Sequence, residues 1–236
     1  MSVTEAPRFN SDRPAEVRDA PRWSRLAHVV RKLPLAIAEL APELLLPSGG
    51  RVLDYGCADQ PYRHLLPPGA NYVPADLPGN DQALVEVQPD GSVPVESESF
   101  DAVISTQVLE HVQDPGVYLA ECFRVLRPGG RMLLSTHGVM VWHPDPVDHW
   151  RWTCGGLRHA VESAGFEVVR FEGVVGLVAT GLQLIQDGAI YSLPRFLRKP
   201  FAFVMQALMG LADLIQGAES RRYNALVFAL IAEKPL

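Results

Sequence analysis

The stretch Val52-Leu53-Asp54-Tyr55-Gly56-Cys57-Ala58-Asp59-Gln60-Pro61-Tyr62 constrains the fold of this chain more than any other. An apolar strand, Arg51 to Tyr55, runs into a glycine turn with an acid, Asp54, near its end. Twenty residues after Gly56 a second apolar run, Tyr72-Val73-Pro74-Ala75, ends in another acid, Asp76. This is the layout of a nucleoside-binding α/β site. Glycine lets the backbone approach a ligand, and an acid ending the next strand can accept hydrogen bonds from both ribose hydroxyls. A full G-x-G-x-x-G is absent, since Ala58 and Gln60 hold the alternate positions after Gly56. The pyrophosphate of a dinucleotide needs bare backbone and a helix N-terminus. A nucleoside ligand without phosphate, such as S-adenosylmethionine (SAM), needs less room.

The alternation of strands and helices continues downstream. Ser99 to Ser105 reads as a buried strand, followed by Thr106-Gln107-Val108-Leu109-Glu110-His111-Val112. Asp114 to Leu126 reads as a helix, stopped by Arg127-Pro128-Gly129-Gly130, and Arg131 to Ser135 as the next strand. The run from SFDAV through LEHV to LRPGGRMLLS resembles the class I SAM-dependent methyltransferases, in particular the type 11 group, as does VLDYGCADQPYRHLL. The resemblance covers residues 51–136 closely, thins by residue 170 and returns in the last strand. Strands are expected at 51–55, 72–76, 84–87, 100–105, 130–135, 166–171 and 225–232. The implied fold is α/β: a Rossmann-like, seven-stranded, mainly parallel sheet with helices on both faces. The resemblance places the antiparallel last strand between strands five and six.

Length and composition set the remaining bounds. A chain of 236 residues, 47% hydrophobic and 20% charged, suits one domain with a sizeable core. Residues 1–20 read as a flexible N-terminal arm and 21–236 as a single methyltransferase domain. Trp23 to Leu46 is expected to be helical and broken at Pro34. A net charge of −6 argues against nucleic acid as a partner. Cys57, Cys122 and Cys154 show no paired spacing and read as reduced thiols in a cytoplasm. The polar stretch Met1 to Asp19 does not read as a signal peptide, and no uncharged apolar run reaches the length of a membrane span.

Residues 176–215 form a helical insert between strands six and seven, where a short hairpin would suffice. Gly176 to Ile190 and Phe201 to Ile215 are apolar, joined by the basic, aromatic segment Pro194-Arg195-Phe196-Leu197-Arg198-Lys199-Pro200. Such helices must bury against something. The readings are core packing, a homodimer interface, a lid over a greasy acceptor, and a peripheral membrane contact steered by Arg195, Arg198 and Lys199.

The resemblance assigns Asp54 to orienting the cofactor's amino group, and Gly56, Cys57 and Ala58 to facing its methionine part. It assigns Asp76 to the ribose hydroxyls, Leu77 to packing on adenine, Asp90 before Gly91 to the adenine amino group, and the backbone around Gln107 to closing the site. Asp54 and Asp90 also fit as helix or turn caps. Glu110-His111 recurs across members with differing acceptors, which favours a structural or cofactor-side role. The loop from Thr136 to Thr153 gathers three histidines, two aspartates and three tryptophans at a carboxyl strand end, where open parallel sheets bind ligands. Methyl transfer to oxygen or nitrogen needs a deprotonated nucleophile, so His143 and His149 are candidate bases and Asp148 a partner for either. The spacing of His143 and His149 fits no helix face, and no metal is expected. Trp150-Arg151-Trp152-Thr153 reads equally as an anchor for the loop.

These features point to a SAM-dependent methyltransferase acting on a small-molecule, sugar or lipid-linked acceptor. The alternatives are a non-catalytic SAM- or nucleoside-binding regulatory protein and a nicotinamide-dependent oxidoreductase, the latter opposed by the missing glycines. SAM consumption would separate the first two, and titration with NADH would test the third.

Overall fold

The computed structural model describes residues 20–144 and 147–236. The expected arm lies outside the described residues except for Ala20, as do Asp145 and Pro146 of the loop after strand five. Seven strands form one sheet: β1 (Arg51–Tyr55), β2 (Asn71–Asp76), β3 (Val85–Glu86), β4 (Phe100–Thr106), β5 (Leu126–His137), β6 (Glu167–Gly176) and β7 (Ala225–Glu233). Their order is β3-β2-β1-β4-β5-β7-β6. The first five pair in parallel. β7 is antiparallel to both β5 and β6, so β6 runs with the parallel set.

Strand side chains alternate between the two faces, and each face has its own core. Leu53, Tyr55, Val103, Met132, Leu134, Phe228 and Leu230 face one layer. It is covered by α2 (Pro115–Val125) and α3 (Cys154–Ser163) through Tyr118, Leu119, Cys122, Leu157 and Val161. Val52, Ile104, Leu133, Val227, Ala229 and Ile231 face the other layer. That layer is covered by α1 (Ala27–Leu40), α4 (Leu177–Ala189) and α5 (Arg195–Ile215). Both faces are therefore buried, which is why β7 reads as an unbroken apolar run. The short α6 (Ala218–Tyr223) returns the chain to β7.

Several boundaries differ from expectation for physical reasons. α1 continues through Pro34 instead of breaking there. The proline removes one backbone bond, at about 3 kcal/mol. Leu33, Ile37 and Leu40 are buried on one face, each worth about 1.5–3 kcal/mol, and hold the helix together. The segment Arg127 to Gly130 does not form a separate stop, because β5 begins at Leu126. The Gly129 amide donates to the Lys234 carbonyl and the Lys234 amide to the Gly130 carbonyl, which extends the ladder to that point. β6 runs five residues past the expected Phe171, because its partner β7 continues the pairing as far as Gly176 and Ala225. Asp114 and Thr153 do cap α2 and α3, accepting from Gly116 N and Gly156 N at 2.8 and 3.0 Å.

Candidate functional site

The carboxyl ends of β1, β2, β4 and β5 lie along one edge, and the loops leaving them build the crevice. After β1 the chain turns at Gly56 (φ +87°), and then twice more through left-handed backbone, at Ala58 (φ +45°) and Gln60 (φ +58°). These are the alternate positions where a glycine-rich turn would carry glycine. The loop keeps that shape with side chains that resist it, at about 1–2 kcal/mol each. Gln107, at the β4 end, is also left-handed (φ +57°). Strained backbone of this kind concentrates at ligand sites.

Two acids face this turn. Asp76 is buried and accepts from Ala58 N at 2.7 Å and Asn80 Nδ2 at 2.8 Å through one oxygen, and from Leu77 N at 2.8 Å through the other. Asn80 also donates to the Ala58 carbonyl at 2.7 Å, tying the β1 turn to the β2 turn. The Gly56 and Cys57 amides both donate to Ala75 O, at 2.8 and 3.0 Å. Asp54 is buried and takes a hydrogen bond from the Tyr72 hydroxyl. Burial pushes its carboxyl up to about 7, with the Tyr72 bond opposing and the Asp76 charge adding to the rise. Burial also holds the Cys57 thiol well above its ordinary value, so it stays protonated. Beside Asp76, a depression is lined by Leu77, Asn80, Ala83, Leu84 and Glu86.

A second group gathers where β4 and β5 end. Glu110 is fully buried and accepts from Thr136 Oγ1 at 2.7 Å. Its other oxygen lies 3.4 Å from His137 Nδ1 and 3.9 Å from His111 Nε2, and neither it nor His137 Nδ1 has a hydrogen bond. Burial pushes His137 down to about 4 despite the Glu110 carboxylate, so this ring is neutral at pH 7. His111 Nδ1 bonds the Val147 carbonyl, which can only accept. The proton of neutral His111 therefore sits on Nδ1, and the lone pair on Nε2. The His143 ring lies 6.0 Å from His111 and 5.7 Å from His137, centre to centre. The loop is pinned by Arg151, which forks onto Asp148 and donates to the Met140 and Val141 carbonyls at 2.8 and 2.6 Å. The His149 amide and the Trp150 indole fasten it to the carbonyls of Glu110 and Val112. No group of three or more His, Cys, Asp or Glu among the described residues is arranged to hold a metal ion.

Residues 25–170 match the model of a family described as a methyltransferase domain. The chain belongs to this family. It is a class I SAM-dependent methyltransferase, with SAM as its cofactor. A ubiquinone biosynthesis O-methyltransferase of Dinoroseobacter shibae is 30% identical over 188 residues, spanning 64% of this chain and 73% of that protein. Among solved structures, the [4+2]-cyclase SpnF superposes with a TM-score of 0.55 at 20% identity, over 85% of this chain and 80% of the other. A Burkholderia thailandensis 1,6-didemethyltoxoflavin-N1-methyltransferase bound to S-adenosylhomocysteine gives 0.54 at 16%, over 87% and 80%. These likenesses show the fold, and one neighbour is a cyclase, so the acceptor chemistry has to be argued from the site.

In this methyltransferase Asp54, Gly56, Cys57, Ala58, Asp76 and Leu77 converge on one turn, with Gln107 on the neighbouring strand end. Asp90 does not join them through its side chain. It is fully exposed, and its carboxylate accepts from the Ser92 amide and hydroxyl, which hold it below its usual range. The Tyr55 hydroxyl donates to Gly91 O and ties that loop to β1. Asp148 holds the loop rather than an imidazole, accepting from the His143 backbone amide at 2.6 Å. Arg151 outweighs the upward push of burial and keeps Asp148 ionised. His143 joins the histidine cluster, and His149 is exposed. Tyr72, Asn80 and His137 complete these contacts but were not singled out by pattern. Asn80, four residues past Asp76 in a Pro-Gly-Asn turn, carried the one local signal.

Proposed function

We infer that the chain transfers the SAM methyl to an oxygen of a small, apolar or lipid-linked acceptor, and that His143 takes the acceptor's proton. The observation that carries this reading is the gathering of His143, His111 and His137 over buried Glu110 at the ends of β4 and β5. The name of the D. shibae relative supports oxygen as the methylated atom and a prenylated or otherwise greasy acceptor class.

The residues suit the cofactor. Asp76 has about four lone-pair sites, of which three receive nitrogen donors. The fourth is open to a ribose hydroxyl, and the Asn80 side chain can yield its place to the second. Asp54, half ionised near neutrality, matches a ligand ammonium, and Leu77 offers apolar surface to adenine. Gln107 closes the β4 side, and the Gly91 loop tied to Tyr55 closes the far end. When bound, SAM supplies an electrophilic methyl on a cationic sulfur, displaced in line. The protein's part is to hold the acceptor hydroxyl against His143. As the O–CH3 bond forms and the S–CH3 bond breaks, the hydroxyl proton passes to the imidazole. The neutral state of His137 avoids placing a second positive charge beside that developing imidazolium.

The experiment supplies methyl-labelled SAM together with an organic extract or the aqueous fraction of the same cells. Label in an organic-soluble product is expected, and in that assay His143→Ala should lower turnover about 100-fold or more with SAM affinity unchanged. His149→Ala should leave both in place. Label confined to aqueous products would remove the greasy acceptor. Full turnover by His143→Ala would remove the base.

A further inference from the structure

The two long helices of the insert are apolar on both sides. Their inward faces bury Ala179, Ala202, Met205 and Met209, and among these sit Gln183, Gln186, Gln206 and Asp213. All three glutamine amides donate to one acceptor, the Arg25 carbonyl just before α1, at 3.1, 2.8 and 2.9 Å. Gln206 also accepts from the His28 amide at 2.6 Å, and the His28 ring lies 2.9 Å from Asp213. The outward faces carry Ile185, Phe196, Phe203, Val204, Leu211 and Leu214, with Phe196 77% and Leu214 80% exposed. On α5 these side chains recur at spacings of three, seven and eight, so they form one stripe along a helix of 21 residues, about 31 Å long.

The polar clamp fixes which way this stripe points. Rolling α5 to bury its leucines would strip Gln206 and Asp213 of their partners, at the desolvation cost of each group, and would turn buried Ala202, Met205 and Met209 into water. The apolar face is therefore held outward by the fold.

Its charge selects the occupant. Between residues 173 and 218 the acids are Asp187 and Asp213. Both are turned inward, with side chains 5% and 2% exposed, and paired with Arg25 and His28. The exposed charges on the two helices are Arg195 and Lys199, at the start of α5; Arg198 sits beside them, donating to the Leu193 and Tyr191 carbonyls. In a chain of net charge −6, this face is apolar and cationic. No described helix is long and apolar enough to cross a membrane.

We propose that the α4–α5 face docks on an anionic lipid bilayer, with the apolar stripe at the acyl boundary and Arg195 and Lys199 among the headgroups. Apolar side chains with flanking cations are what an interfacial helix needs, and each basic residue near an anionic surface adds to binding in a salt-dependent way. The insert leaves the sheet at Gly176 and re-enters at Ala225, which pair at the edge where β1, β4 and β5 also end. The docking stands apart from the acceptor reading, since it requires neither an acceptor nor turnover.

The test is co-sedimentation of the full chain, with S-adenosylhomocysteine, on vesicles of phosphatidylcholine alone or with one third phosphatidylglycerol. Binding to the anionic vesicles that weakens at least tenfold between low and high salt is expected. Phe203→Asp with Leu211→Asp should abolish it, and Arg195→Glu with Lys199→Glu should remove its salt dependence. All variants should retain S-adenosylhomocysteine affinity, which reports their folding. Absence of binding to anionic vesicles by the wild-type chain overturns the proposal. A dimer by light scattering that Leu211→Asp dissociates, without vesicle binding, overturns it in favour of a second copy. Loss of the greasy acceptor with vesicle binding intact would fall on the proposed reaction alone.

Discussion

A Cβ added to Gly56 would stand 2.4 Å from Val108 Cγ2. The β1 turn and the β4 loop are thus packed against each other at the point where the backbone must lie closest to a ligand, and in a left-handed conformation that only glycine adopts freely. Gly56→Ala should destabilise the protein by about 1–3 kcal/mol and weaken S-adenosylhomocysteine binding at least tenfold. Thermal unfolding and calorimetric titration read the two effects separately. Wild-type affinity in a folded variant would place the cofactor elsewhere.

Ala58 and Gln60 present the opposite case. Both hold positive φ with side chains that disfavour it. Ala58→Gly and Gln60→Gly should each raise stability by about 0.4–1 kcal/mol, with the cofactor still bound. A fall in melting temperature for both would mean that side-chain contacts outweigh the backbone strain.

Asp54 makes the protein sensitive to pH. Its folded value of about 7 lies above its ordinary 3.8. The folded state therefore keeps a proton that the unfolded state gives up. The stability this confers is complete below about pH 4 and is lost as pH rises through about 7, at about 1.4 kcal/mol per pH unit in between. Asp54→Asn should flatten this slope and be more stable than wild type at pH 8. Cofactor binding should run the other way, tightening from pH 6 to 8 in the wild type, because an ammonium ligand wants the carboxylate. A pH-independent affinity in the wild type would separate Asp54 from the ligand's amino group.

Asp76→Ala removes a carboxylate that organises two turns as well as the proposed ribose contact. Hydrogen bonds to a charged acceptor are worth about 1.5–3 kcal/mol each, so cofactor affinity should fall at least tenfold. Adenosine should lose affinity by the same factor as S-adenosylhomocysteine, since the lost contact lies on the ribose. A loss seen with S-adenosylhomocysteine but not adenosine would move Asp76 to the amino-acid end.

The strands were legible because strand, turn and helix signals are local, while the place of the last strand followed from the family resemblance. Apolar runs ended by Asp54 and Asp76, the Asp114 and Thr153 caps and the apolar last strand all follow from neighbouring residues. The candidate site was legible where the backbone makes the turn, at Gly56 and Asp76. Its long-range partners were not. Tyr72 meets Asp54, and Glu110 meets Thr136 and His137, only after the strands pair. Asp90 fits an adenine contact by position, but Ser92 two residues on captures its carboxylate. The insert's apolar helices invite a core reading, which Ala179, Met205 and Met209 meet, and the glutamines beside them carry no signal until α1 is placed against them.

The position of β7 dictates how this protein can be made. The strand synthesised last lies between β5 and β6, each of which pairs with it and not with the other. While the chain is emerging from the ribosome, β6 has no sheet to join and β5 has an open edge. α1 waits for Asp213 and Gln206 before its polar end is satisfied. The β7 side chains of both cores are likewise missing until Ala225 to Glu233 arrive. A nascent chain that stalls or is cut before Ala225 presents two adhesive strand edges, and is a natural client for a chaperone or a protease.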